Sequence, residues 1–164
     1  KMKINLEENW QKIRIHFSKS FASNMHVSIA SVDKDHQPTI TPIGSLFLNK
    51  NLTGFYFEKF STKLNINSKS NKNICVLAVN SHKWFWLKSL FKMSFSDYPA
   101  VKLYGELGEK RPATDKEYKA FQRRTRQTKR LKGSNYLWKD MSMVREITFT
   151  KGEKISLGKM TKNN

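Results

Sequence analysis

Cysteine is almost absent from this sequence: Cys75 is the single thiol in 164 residues. One cysteine excludes an intrachain disulfide, so the core alone must hold the fold, and the chain suits a reducing compartment. Cys75 sits in the apolar run "ICVLAV", where the expected role is a buried structural thiol. No apolar run approaches the ~18 residues that a spanning helix needs, and the amino terminus lacks the apolar stretch of a secretory leader. The expectation is a cytoplasmic protein with no membrane span. Acidic residues are also scarce, 13 against 31 lysines and arginines, for a net charge of +18. That excess admits nucleic acid, acidic lipid or a phosphorylated ligand as partner. It is equally met by a solvated surface, because 24 of the 31 are lysines scattered along the chain. His16, His26, His36 and His82 show no metal-ligand spacing, so no metal site is expected, and there is no Walker, Rossmann or G-x-S-x-G pattern. Any chemistry would fall to a bound cofactor.

What is present reads as one domain over residues 1–164, since no linker rich in Gly or Pro divides it. Asn5 with Glu8 resembles a capping box, and Leu6, Trp10, Ile13 and Phe17 recur at helical spacing, which predicts an amphipathic helix within residues 1–20. "HVSIASV", "PTITPIGSLFL" and "TGFYFE" predict three strands in an antiparallel meander, with Pro42 marking an edge or a bulge. A short helix over 62–71 precedes "ICVLAV", read as a fully buried strand. "AVKLYGEL" completes a barrel core over 26–107, and "REITFT" and "KISLG" form a last strand pair over 144–158. The class is mainly β with peripheral helices, α+β, and the architecture a small antiparallel β-barrel.

Three segments carry functional interest. "FYFEKFSTKLN", residues 55–65, turns from aromatic strand to Ser61-Thr62-Lys63 at a helix start, where backbone N–H groups, two hydroxyls and an amine favour an anion. An ordinary N-cap followed by a solvated lysine has the same sequence. "WFWLKSLFKMSF", residues 84–95, gathers eight large apolar residues with Lys88 and Lys92 at helical spacing, and reads as a lid or subunit contact, or else as core. The third, 114–132, opens with a Thr114–Glu117 capping box and sets Lys119, Arg123, Arg126 and Arg130 on one helical stripe. That stripe is a solvated face or a site for an anionic partner.

Read together, Gln37-Pro38, Thr41-Pro42, Tyr56-Phe57 and Ser61-x-Lys63 in this order, followed by "PAVKLYGELGEKRPAT", Leu137-Trp138, "VREITF" and "GKMT", resemble the pyridoxamine 5′-phosphate oxidase-like family of FMN-binding split barrels. The resemblance covers most of residues 20–161. It implies a homodimer with FMN at each end of the subunit interface and a small-molecule substrate or electron acceptor. Carried onto this chain, Ser61, Thr62 and Lys63 would hold the cofactor phosphate, and Thr41, Pro42, Ile43 and Gly44 would line the isoalloxazine, with Tyr56 and Phe57 nearby. Thr41, Leu46, Phe57 and Thr62 stand where the true oxidases have an arginine, a lysine, a small hydroxyl and an arginine. The tail after Arg145 also lacks the arginine and histidine that clamp the substrate phosphate there. The expected activity is therefore that of an FMN-dependent oxidoreductase of another substrate, with catalytic residues unknown. The alternative is a non-catalytic basic module for nucleic acid or an acidic partner through 119–130, ranked lower because the stripe has no aromatic residues arranged for base stacking.

Overall fold

The computed structural model describes residues 3–60 and 62–162, apart from the side chain of Thr62. Eight strands and five α-helices follow one another as β1 (Lys3–Ile4), α1 (Leu6–Asn24), β2 (Val27–Val32), β3 (Pro38–Ile43), β4 (Leu46–Leu48), β5 (Thr53–Phe57), α2 (Thr62–Ser68), β6 (Asn73–Val79), α3 (Lys83–Lys92), β7 (Ala100–Pro112), α4 (Asp115–Thr125), α5 (Lys132–Trp138) and β8 (Met143–Lys154). A 3-10 turn, Gly158–Thr161, follows.

The strands form one antiparallel sheet in the order β3-β2-β6-β7-β8-β5-β4, with β1 paired to the far end of β8. This replaces the expected meander. The stretch 38–48 is not one strand: it breaks at Gly44-Ser45, and its halves β3 and β4 lie at opposite ends of the strand order. Because they are joined by only two residues, those two ends must approach each other, which curls the sheet into a barrel. Pro42 lies in the end strand β3, where its missing N–H removes no bond from an interior ladder. Of the expected final strand pair, only the first forms, as β8, which runs on through Gly152 to Lys154; "KISLG" beyond Lys154 is irregular and ends in the 3-10 turn.

Helix α1 is a turn longer than its sequence stripe predicted. Phe21 continues the series Leu6, Trp10, Ile13, Phe17, and all five are buried against the sheet. Asn5 caps it by accepting the N–H groups of Glu7 and Glu8. Strand β6 is not buried on both faces. It alternates, with Ile74, Val76 and Ala78 inside and Leu77 out, and Cys75 is half-buried opposite Tyr104.

The aromatic run in β5 follows from period-two geometry. Tyr56 points into the barrel core with Ile13, Leu46 and Ile147, while Phe55 and Phe57 point outward into a second cluster with Phe121, Met141 and Val144. That outer cluster docks α4 and α5 on the barrel wall. The predicted basic helix over 114–132 is shorter, and a helix that the sequence pattern did not predict, α5, follows it. The first, α4, ends at Thr125, whose hydroxyl bonds back to the Phe121 carbonyl at 3.1 Å, and α5 begins at Lys132 after a turn dense in like charges. Arg126 and Arg130 therefore lie outside the helix that carries Lys119 and Arg123. The Thr114–Glu117 capping box forms as expected.

Candidate functional site

The break at Gly44-Ser45 and the end of β5 meet in one place, and the bonds there explain why. Ser45 is buried, and its Oγ accepts the Phe57 N–H and donates to the Phe57 carbonyl, both at 3.2 Å. One side chain thus extends the β4–β5 ladder past the strand. From outside, the Arg124 guanidinium donates to the Leu46 carbonyl and, at 3.4 Å, to that of Gly44. It stacks 3.6 Å from the centre of the Phe47 ring and 4.0 Å from that of Phe21. Arg124 as a whole is exposed, but burial of its guanidinium end between the two rings pushes its pKa down to about 10, so it stays charged at neutral pH.

Beneath this crossing lies a cleft of about 310 Å³. Its floor is Thr41, Pro42, Ile43 and Gly44; its walls are Ser45, Phe57, Lys59 and Phe60 on one side and Leu137, Trp138 and Met141 on the other. Gly44 permits a close approach here. A Cβ at this position would stand 3.1 Å from the Met25 carbonyl oxygen and 3.2 Å from Cη2 of Trp138, so the indole lies directly against backbone. Lys59 fastens the outer wall: its ammonium donates to the carbonyls of Lys139 at 2.5 Å and Tyr136 at 3.4 Å, at the carboxyl end of α5. Phe60 stacks on Tyr136 beside it.

A buried charge pair anchors the turn between β5 and α2. Glu58 takes the Nε–H of Arg145 and, at 3.0 Å, an Nη2–H, and the Tyr56 hydroxyl donates to it at 3.1 Å. Arg145 also donates to Asn65 Oδ1 at 2.8 Å and to the Gly108 carbonyl at 3.0 Å. One guanidinium therefore ties β8 to β5, α2 and the irregular stretch of β7.

Of the residues that the family resemblance nominated, Thr41, Pro42, Ile43, Gly44 and Phe57 line this one cleft, and the other described candidates lie apart from it. Tyr56 is fully buried behind the cleft wall, engaged with Glu58. Lys63 is exposed and lines a different depression with Asp33, Lys34, Asp35 and Asn67. Carboxylates compete there with any anion. Asp33 is held below its usual pKa first by the Gln37 N–H, and Lys63 adds to the effect. Ser61 and the side chain of Thr62 lie outside what the structure describes. Sequence reasoning missed Lys59, Phe60, Met141 and the use of Trp138 as a wall. Only the Leu137-Trp138 pair stood out in the sequence, and nothing linked it to Gly44.

Helix α3 forms where "WFWLKSLFKMSF" predicted one, and none of its residues lines this cleft within the chain. The basic segment lines its own depression with Arg123, Arg126, Lys129 and Arg130, and no aromatic side chain is among its lining residues. No cluster of His, Cys, Asp or Glu able to hold a metal occurs among the described residues. No helix among them is long and apolar enough to cross a membrane.

Comparison with known proteins rests on structure, because no protein-family model and no curated protein matches the sequence. An FMN-binding protein from Syntrophomonas wolfei superposes with a TM-score of 0.53 at 19% identity, covering 93% of this chain and 96% of that one. This decides the architecture. The chain has the FMN-binding type of split-barrel fold. A Lactobacillus delbrueckii protein put forward as a pyridoxamine 5′-phosphate oxidase shares the split barrel at TM-score 0.53 and 17% identity, over 93% and 98% of the two chains. HutZ, the haem storage protein of Vibrio cholerae, shares it at TM-score 0.50 and 9% identity, over 90% and 92%. The split barrel thus serves proteins named for different cofactors, and the choice between them rests on the cleft.

Proposed function

We propose that the cleft beneath α5 receives the ring of FMN and that the protein is a cytoplasmic, FMN-dependent oxidoreductase acting on a small-molecule substrate or electron acceptor. The observation that carries this reading is the pairing of a bare Gly44 floor with the Trp138 indole against it. A site that seats one flat ring on backbone is shaped for another, and its walls are mainly apolar, as pockets for flat cofactors are. When bound, FMN would supply hydride or electron transfer. The chain's own part is to bind and orient: Pro42 and Gly44 offer the floor, and Phe57 and Trp138 exclude water. Lys59 stands at the edge of the cleft just after β5, on the side toward which the phosphate would point, and Ser61, Thr62 and Lys63 come next along the chain, the last two at the start of α2. A homodimer with a cofactor at each end of its interface is the assembly that accompanies this reading.

Haem is the competing cofactor. Of the described lining residues only Met141 is a type that proteins use as an axial ligand; no histidine, cysteine or tyrosine is among them. The four histidines lie elsewhere, His16 buried under α1 and His26, His36 and His82 on the surface. This favours flavin. The test is titration of the protein with FMN, followed by quenching of flavin fluorescence. Saturable binding of one FMN per chain is expected, weakened in Trp138→Ala and in Lys59→Ala. No binding at saturating FMN, or a haem spectrum in the purified protein, would overturn the proposal, and light scattering showing a monomer at micromolar concentration would remove the dimer.

A further inference from the structure

Helix α3 is apolar on both sides. Its inward side is accounted for: Phe85 and Trp86 pack on Phe95, the Trp86 indole donates to the Asn80 carbonyl at 2.6 Å, and Ser89 is buried. Its outward side has no partner among the described residues. Trp84, Leu87 and Phe91, spaced i, i+3, i+7, stand in solvent with Leu90 and the capping Met93, and Trp84 and Phe91 are 76% and 91% exposed. A cluster of this size is not left in water without a purpose.

The rim of that stripe is basic. Lys83, Lys88 and Lys92 are exposed on α3 itself, and Lys159 is exposed on the 3-10 turn that receives the Phe95 N–H through the Met160 carbonyl. The only carboxylate of the 93–97 connection, Asp97, is already paired with Lys19 at 2.8 Å. A second copy of this chain is a poor occupant. In a two-fold contact through α3 the same lysines would face one another, on two chains of +18 each. An anionic surface with an apolar interior meets both features at once: lysine stems lie along apolar surface while their heads reach acidic groups, and Trp and Phe settle at the boundary. At ten residues, about 15 Å, α3 is too short to span a bilayer and suited to lie in its plane.

We propose that α3 docks the protein on an anionic lipid surface, with Trp84, Leu87, Leu90 and Phe91 entering the acyl boundary and Lys83, Lys88 and Lys92 meeting the headgroups. The inference is independent of which cofactor the cleft binds. The experiment is flotation of the full chain with vesicles of phosphatidylcholine alone and of equal parts phosphatidylcholine and phosphatidylglycerol, at physiological ionic strength. Flotation with the anionic vesicles is expected, together with quenching of tryptophan emission by brominated lipid that is lost in Trp84→Phe. Phe91→Glu, at a site too exposed to affect folding, should weaken partitioning by about tenfold or more, the scale of withdrawing one large apolar side chain. Arg123→Glu with Arg126→Glu should leave most of it. No flotation, flotation undiminished by Phe91→Glu, or sedimentation showing a dimer that Phe91→Glu splits into monomers would each overturn the proposal, the last by assigning the stripe to a second copy.

Discussion

Replacing Arg145 by methionine tests whether the junction beside the cleft is held as its geometry indicates. Arg145 and Glu58 are 7% and 8% exposed, and both charges are met within the fold. Without the guanidinium, Glu58 retains the Tyr56 hydroxyl at 3.1 Å and Lys110 at 4.0 Å. Stranding one partner of a buried pair costs about 3–5 kcal/mol. The Lys110 side chain is 42% exposed and free to swing closer, so the lower figure applies, about 3 kcal/mol. Glu58→Leu leaves the guanidinium only the neutral Asn65 and Gly108 oxygens and belongs nearer the upper figure, about 4–5 kcal/mol. Together the single costs sum to about 7 kcal/mol or more, whereas the double variant buries no lone charge and should cost less than half of that. Urea unfolding followed by circular dichroism near neutral pH measures all three. For a chain of this length, 3 kcal/mol corresponds to a fall in Tm of about 6–12 °C. Single variants costing under about 1 kcal/mol, or a double variant costing the full sum, would refute the reasoning, because either outcome means that solvent reaches the pair.

Two further outcomes follow from the site and the core. His16 is buried with Nε2 on the Ala78 carbonyl at 2.9 Å, which makes Nε2 the donor. Burial holds its pKa below 6.5, with Asp97 opposing and Lys19 assisting. The unfolded chain then binds the proton first, so stability is full above about pH 6.5 and falls as pH drops toward the lower folded value; the urea midpoint should decline between about pH 7.5 and 5, and His16→Leu should flatten that decline. Pyridoxine 5′-phosphate should not be oxidised by FMN-loaded protein at the ~1 per second or faster of ordinary enzymes, since the chain carries no histidine after His82 and no arginine after Arg145 to clamp a substrate phosphate; formation of the aldehyde product at such a rate would contradict this.

Local patterns that repeat within one element were legible in the sequence, and pairings between distant elements were not. The stripe of α1, the turn at 33–36, the capping box at Thr114 and the strand-to-helix change after Phe57 all depend on neighbours a few residues apart. Gly44 illustrates the limit. Nothing beside it in sequence says that the chain leaves one end of the sheet there and joins the other, because Trp138 and Arg124, which meet it, are 94 and 80 positions away. Gly152 misled for a similar reason. It reads as a turn between two strands, yet it continues β8, and its missing side chain makes room for Leu6, whose Cδ2 would stand 2.7 Å from a Cβ. The partner that demands the glycine belongs to the other end of the chain.

The arginine cluster at 111–130 shows how composition overstates electrostatics when burial is unknown. Of its five arginines, Arg111 is engaged by Glu117 at 2.7 Å and Glu146 at 3.4 Å, fixing the start of α4 to β8. Arg124 is consumed by the carbonyls and rings at the Gly44 crossing. What remains for a partner is Arg123, Arg126 and Arg130 with nearby lysines, on a helix end and a turn rather than along one helical face. Arginine is suited to such internal duty: its planar fork satisfies several acceptors at once and stacks on rings, which lysine does not do. The lysines, by contrast, hold most of the net charge, and a run of them rims the one helix that also exposes Trp84 and Phe91. The positive charge of this chain is thus unevenly available: Arg111, Arg124 and Arg145 are spent inside the fold, while Arg123, Arg126, Arg130 and most of the lysines face outward.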